Sequence, residues 1–199
     1  KRWGKSGLEM TDMFPRIAQR ADDLAIVRSM TAKFSEHAQG NFFMHSGFPF
    51  LGYPSAGAWV NYGLGSSNPN LPGFVVLRSN KAAIPHGGVS IFGNAFLPAT
   101  SQGSVFNISG DQAVPHIKPS MLKAEQKRSL DLIAKLDLGF AQRMAAKDAI
   151  VSSIKNAQTA FNMQEAVPEL TDISGESQKT RALYGIDDPD QQKSEYAKQ

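Results

Sequence analysis

The character of this 199-residue chain changes abruptly at Pro119, and that change limits the possible folds more than any single motif. Residues 40–110 hold 12 of the 17 glycines, and their only charged side chains at neutral pH are Arg78 and Lys81. A stretch this poor in charge and rich in Gly consists of loops that must be packed or used. Beyond Pro119 there is no proline until Pro168, and Lys, Glu, Gln, Ala and Leu dominate. Long helices are the expected result. Leu122, Leu130, Ile133, Leu136 and Phe140 line one face, and Ile150, Ile154, Ala157, Phe161 and Met163 line another. The joint is expected at residues 145–148, which gives a helical hairpin over 117–167; one long kinked helix is the alternative. This hairpin is expected to add little to a sheet core. Residues 168–199 are a polar connection with a short helix over Ser177–Tyr184 that Gly185 stops.

Residues 1–116 alternate helical and strand-like patterns. Met13, Phe14, Ile17, Ala18 and Ala21 recur at helical spacing and predict a helix over 11–21, with Pro15 in its first turn where the missing N–H costs little. Leu24–Val27 is a short apolar run bounded by polar residues, as in a buried strand, and Gly73–Leu77 is a second. Val89–Phe92 and Ser104–Asn107 are weaker strand candidates. Pro54 and Ser55 open a helix that Gly63 or Gly65 closes. The alternation predicts an α/β domain. Two convincing strands are fewer than the about five or six of an ordinary sheet, so an exposed apolar edge and self-association are expected.

A hydrophobic content of 41% marks a folded chain and not general disorder. The net charge of +3 lacks the Lys/Arg stripe with interleaved aromatics that a nucleic-acid face needs. Residues 1–116 hold nine Lys/Arg against six Asp/Glu, while 117–199 hold twelve of each. A mild preference for an anionic ligand in the first part and a neutral surface explain this equally well. With no Cys there is no disulfide, thiolate metal site or Cys nucleophile. No run approaches the roughly 18 apolar residues needed to span a bilayer, and no signal peptide is visible.

Among candidate site residues, His37 falls in a polar loop beyond the strand expected at 24–27, where α/β sheets place ligands; a solvent-exposed or helix-capping His is the alternative. Asn41 and His45 follow at intervals of four, so a helix over 38–46 puts all three on one face, with Phe42, Phe43 and Met44 toward the core. Such a face is a polar rim able to donate hydrogen bonds to a sulfate or phosphate ester; His45 alone also fits a cap before Gly47. Ser55 lacks the Gly-x-Ser-x-Gly elbow and is expected to cap its helix. Gly63-Leu64-Gly65 is too short for a dinucleotide fingerprint. His86-Gly87-Gly88 fits a tight turn, His116 beside Pro115 a link between domains. Asp187, Asp188 and Asp190 fit a solvated turn without calcium-loop spacing.

Six segments carry a family resemblance in this order: ADDLAIVRSM (21–30), FMHSGF (43–48), YPSAGAWVNYGLGS (53–66), NLPGFVVL (70–77), FGNAFLPATSQG (92–103) and DISGES with TRALYG (172–185). They span almost the whole chain, which resembles the domain-of-unknown-function 1501 family, sulfatase-like proteins of the alkaline phosphatase superfamily. The resemblance implies a partial three-layer αβα sandwich for 1–116 carrying the hairpin as an insertion. It also implies hydrolysis of phosphate or sulfate esters, a divalent metal (zinc, calcium or manganese), and export by a twin-arginine signal to the periplasm or beyond. A small anionic ester or a sulfated or phosphorylated glycan is the implied substrate, to which His37, Asn41 and His45 would bind. The family's His-Gly-Gly-Pro-Ser-type turn and Gly-Arg-Asp-His-type motif are absent from this sequence, which opens at Lys1 and stops at Gln199. An internal piece of a longer enzyme, inactive alone, is therefore expected. The rival expectation is a non-catalytic binding or cell-envelope protein that keeps the fold.

Overall fold

A computed structural model describes residues 1–78, 85–107, 114, 116–143 and 147–197. The chain forms two compact units, Lys1–Lys33 and Phe34–Gln199. Its architecture is mixed, with helices and two small two-stranded sheets, consistent with an α/β class.

In the first unit, β1 (Arg2–Trp3) and β2 (Leu8–Glu9) pair antiparallel, Arg2 opposite Glu9 and Trp3 opposite Leu8. The Asp22 carboxylate ties the connecting turn down by accepting from the backbone N–H of Lys5 at 2.9 Å and of Ser6 at 2.8 Å. Gly4 (φ +62°) lies so close that a Cβ there would fall 2.4 Å from Asp22 Oδ1. The helix expected over 11–21 is shorter, with α1 at Pro15–Ala18 followed by a 3-10 turn at Ala21–Asp23. Ala18 and Ala21 are buried as their spacing requires, whereas Met13, Phe14 and Ile17 face solvent. The strand expected at Leu24–Val27 does not form. That segment is irregular, and Ile26 and Val27 are 52% and 66% exposed. An apolar run becomes a strand only beside a partner that takes its backbone hydrogen bonds. None pairs with it among the described residues.

In the second unit, α2 (His37–Ser46) and α3 (Ala56–Leu64) precede β3 (Val75–Arg78). The Ser55 Oγ caps α3 by accepting from Ala58 N at 3.2 Å, and Gly65 closes it, as the sequence predicts. The strand expected over 73–77 begins two residues later and pairs parallel with β4 (Ser104–Asn107), Val75 opposite Ser104 and Arg78 opposite Asn107. Val89–Phe92 is a 3-10 turn and no strand, and a second such turn lies at Ala99–Ser101.

The helical hairpin is present as α4 (Lys123–Ala141) and α5 (Lys147–Thr171); the expected joint at 145–148 lies partly outside the described residues. The second helix continues past the expected limit of 167, through Pro168 to Thr171, whose Oγ1 donates to Val167 O at 3.0 Å. The expectation that the hairpin adds little to the sheet core fails. Met163 and Val167 of α5 form the core cluster with Ile117, and Leu71 and Phe106 of the strand region pack against it. Through Phe106 the α5 cluster reaches β4, while Val75 and Leu77 of β3 remain exposed. After α5 come α6 (Gln178–Tyr184), capped by Ser177 and stopped by Gly185 as predicted, and α7 (Gln191–Ala197), which the polar sequence did not signal.

Candidate functional site

The polar face of α2 and the turn at residues 86–92 build the site. Glu36 caps the helix, its side chain accepting from Gln39 N at 2.9 Å. The helix ends at Gly47, which takes the left-handed conformation (φ +79°) and returns its N–H to Phe43 O. His37 therefore opens a helix and does not follow a strand, and the expected interval of four holds along α2. His37, Asn41 and His45 all meet the same turn. The imidazoles of His37 and His86 stack with centroids 4.7 Å apart and planes inclined by 23°. Asn41 Nδ2 donates to His86 O at 2.8 Å. His45 places its ring edge-on to Phe92 at 5.1 Å.

Gly87 of this turn is needed for the approach. Gly87 has φ +98°, and a Cβ there would stand 3.2 Å from the Phe42 ring and 2.9 Å from Ile91 Cγ2. Phe42 and Phe43 are half-buried, Phe43 tilted against Phe34 at 6.1 Å, but Met44 is 71% exposed and does not anchor the helix as expected. Backbone N–H groups of Ala38 and Gln39 hold the Glu36 carboxyl below its ordinary value of 4.5, assisted by the His37 and His86 rings.

The residue that local pattern reading set aside is His86. Its Gly-Gly turn forms as expected, yet nothing in the local sequence pairs it with His37. The pair of glycines, which permits close backbone approach, was the available signal. Ser55 is buried and occupied as a cap, so it is no nucleophile. His116 is exposed with φ +58°, just before buried Ile117. Asp187 pairs with Arg181 in a bidentate contact at 2.7 and 2.8 Å, and Asp188 and Asp190 accept from nearby backbone N–H groups, so all three serve a local turn.

The site does not fit a divalent metal. Ring nitrogen lone pairs lie in the ring planes, so two nearly parallel stacked imidazoles cannot both point at one ion at about 2.0–2.1 Å. Among the described residues no group of three or more His, Asp or Glu is placed to hold one. The arrangement can offer two imidazoles and a helix face as hydrogen-bond donors toward a shared ligand.

The fold and this face define a mixed α/β protein with a histidine-lined turn, and no described helix is long and apolar enough to cross a membrane. Over residues 1–199 the chain matches the family described as "Protein of unknown function (DUF1501)", and it belongs to that family. No curated protein and no solved structure matches it.

Proposed function

We propose that this chain is part of an exported hydrolase of phosphate or sulfate esters with an alkaline-phosphatase-like αβα sandwich, in which His37 and His86 bind the ester oxygens. The convergence of His37, Asn41 and His86 at one turn carries this reading. Imidazole N–H groups donate to the anionic oxygens, while Asn41 keeps His86 in register through its carbonyl and so acts as a positioning residue. His45 is fixed against Phe92 at the far end of the same face. The parallel pairing of β3 with β4 supports the fold, since parallel strands are typical of α/β sheets whose strands are joined by crossover connections. The divalent metal that the sulfatase-like reading calls for has no ligand set among the described residues, and the binding step described here runs without it.

The test is turnover of aryl sulfate and aryl phosphate by the intact protein. Losing one hydrogen bond to a charged oxygen costs about 1.5–3 kcal/mol, so His37→Ala and His86→Ala are each expected to lower turnover about ten- to a hundredfold. If both variants keep full activity, the site assignment is wrong. The 199-residue chain alone is expected to show no appreciable turnover with added zinc, manganese or calcium. Chelator-sensitive turnover by that chain would overturn this expectation.

A further inference from the structure

We propose that a second site, a cleft between α5 and the loops at residues 65–73 and 98–104, binds a neutral oligosaccharide. The cleft has a volume of 990 Å³, at the upper end of the about 300–1,000 Å³ typical of ligand sites. Carboxamides come from both walls: Asn61 of α3 with Asn68 and Gln102 of the loops on one, Asn156, Gln158 and Asn162 of α5 on the other. Hydroxyls of Ser and Thr residues lie between them. Only two lining side chains are charged, Asp148 and Lys155, and they are opposite in sign.

This composition selects the ligand. Asp148 offsets the charge of Lys155, so nothing in the lining favours a phosphate or sulfate, and a purely apolar ligand would leave the carboxamides and hydroxyls of both walls unpaired. Carboxamides and hydroxyls both donate and accept, which is the pattern that sugar hydroxyls require. Tyr62 lies at the cleft 56% exposed and presents an apolar ring face with a hydroxyl at its end, suited to the two-sided polarity of a pyranose.

The walls are also braced before any ligand arrives. Gln158 Nε2 donates to Asn162 Oδ1 at 3.0 Å, and Asn162 Nδ2 donates in turn to Pro69 O at 3.1 Å, which ties the helix to the loop. Asn61 Nδ2 donates to Thr100 O at 3.0 Å and ties α3 to the other loop. The Gln102 and Asn156 side chains take no part in these ties and remain available. A cleft fixed in this way loses little freedom on binding. The cleft shares no residue with the face formed by His37, Asn41, His45 and His86.

Saturation-transfer NMR on the full chain tests it, because the signal is read on the ligand and tolerates self-association of the protein. The probes are neutral hexasaccharides of glucose, xylose, mannose and N-acetylglucosamine, with a heparin hexasaccharide and a Gly-Ser-Asn peptide as counterparts. At least one neutral sugar is expected to bind with a dissociation constant near or below about 1 mM. Tyr62→Ala and Asn156→Ala are each expected to weaken it about tenfold, and His37→Ala to leave it unchanged. Asn156→Asp, which keeps the shape and removes the donors, replaces Asn156→Ala if that variant loses its helical circular dichroism. No transfer to any neutral sugar, transfer to the heparin fragment or the peptide alone, or sugar binding indifferent to both cleft variants would each overturn the proposal.

Discussion

Glu36 shows how one side chain joins local structure to the site. Its carboxylate caps α2 through the N–H groups of Ala38 and Gln39, which hold its pKa below 4.5. A depressed carboxyl stabilises the folded state above its unfolded pKa, and that contribution disappears as pH falls through the folded value. Acidification below about pH 4.5 is therefore expected to loosen the start of α2, where His37 sits. Glu36→Gln should lose less melting temperature than wild type between neutral pH and about pH 3; an equal loss in both would rule out the cap as the acid-sensitive element. Asp22 obeys the same sign in the first unit, held low by the Lys5 and Ser6 N–H groups. At this scale the sequence was informative about caps, because Ser55, Ser177 and Gly185 act within a few residues of themselves. The contact of His37 with His86 joins segments far apart in the chain and depends on a turn whose placement no local pattern encodes.

Among the elements, α5 does the most to hold the second unit together. Periodicity at 150–163 revealed that a helix forms there but not what it packs against, since Phe161 and Met163 fit a hairpin seam as well as a sheet cover. In the structure Met163 and Val167 belong to the cluster with Ile117, Leu71 and Phe106. Met163→Ala is accordingly expected to destabilise the chain by about 2–5 kcal/mol, measured by denaturant unfolding. Deleting residues 123–171 should abolish the β3–β4 pairing, and survival of the parallel pair after deletion would show that α5 is dispensable. Strand prediction failed at Leu24–Val27 for a related reason. A run of apolar residues reports local preference, whereas a strand exists only with its neighbour, and at 104–107 a weak pattern became β4 because Val75–Arg78 lay beside it.

At the scale of the whole molecule, large apolar side chains remain on the surface, among them Phe50, Leu51, Trp59, Val60, Leu64 and Phe96, with Ile133, Leu136 and Phe140 along α4. Apolar surface of this kind drives association, and among the described residues no further strand pairs with either edge of the two-stranded parallel sheet. The isolated chain is expected to sediment as oligomers whose size grows with concentration; a monodisperse monomer with one cooperative thermal transition would refute this. The α/β class was legible from the alternation of patterns, while two short parallel strands do not by themselves define a sandwich. The bond from Asn162 to Pro69 has one more consequence, for the order in which the chain acquires its shape. Its partners are 93 residues apart, and a ribosome adding about 5–20 residues per second takes on the order of ten seconds to cover that distance. In the later part of that interval, once Asn107 has been added, β3 and β4 are made but still lack Met163 and Val167, so the newborn second unit is exposed to misassembly until α5 emerges.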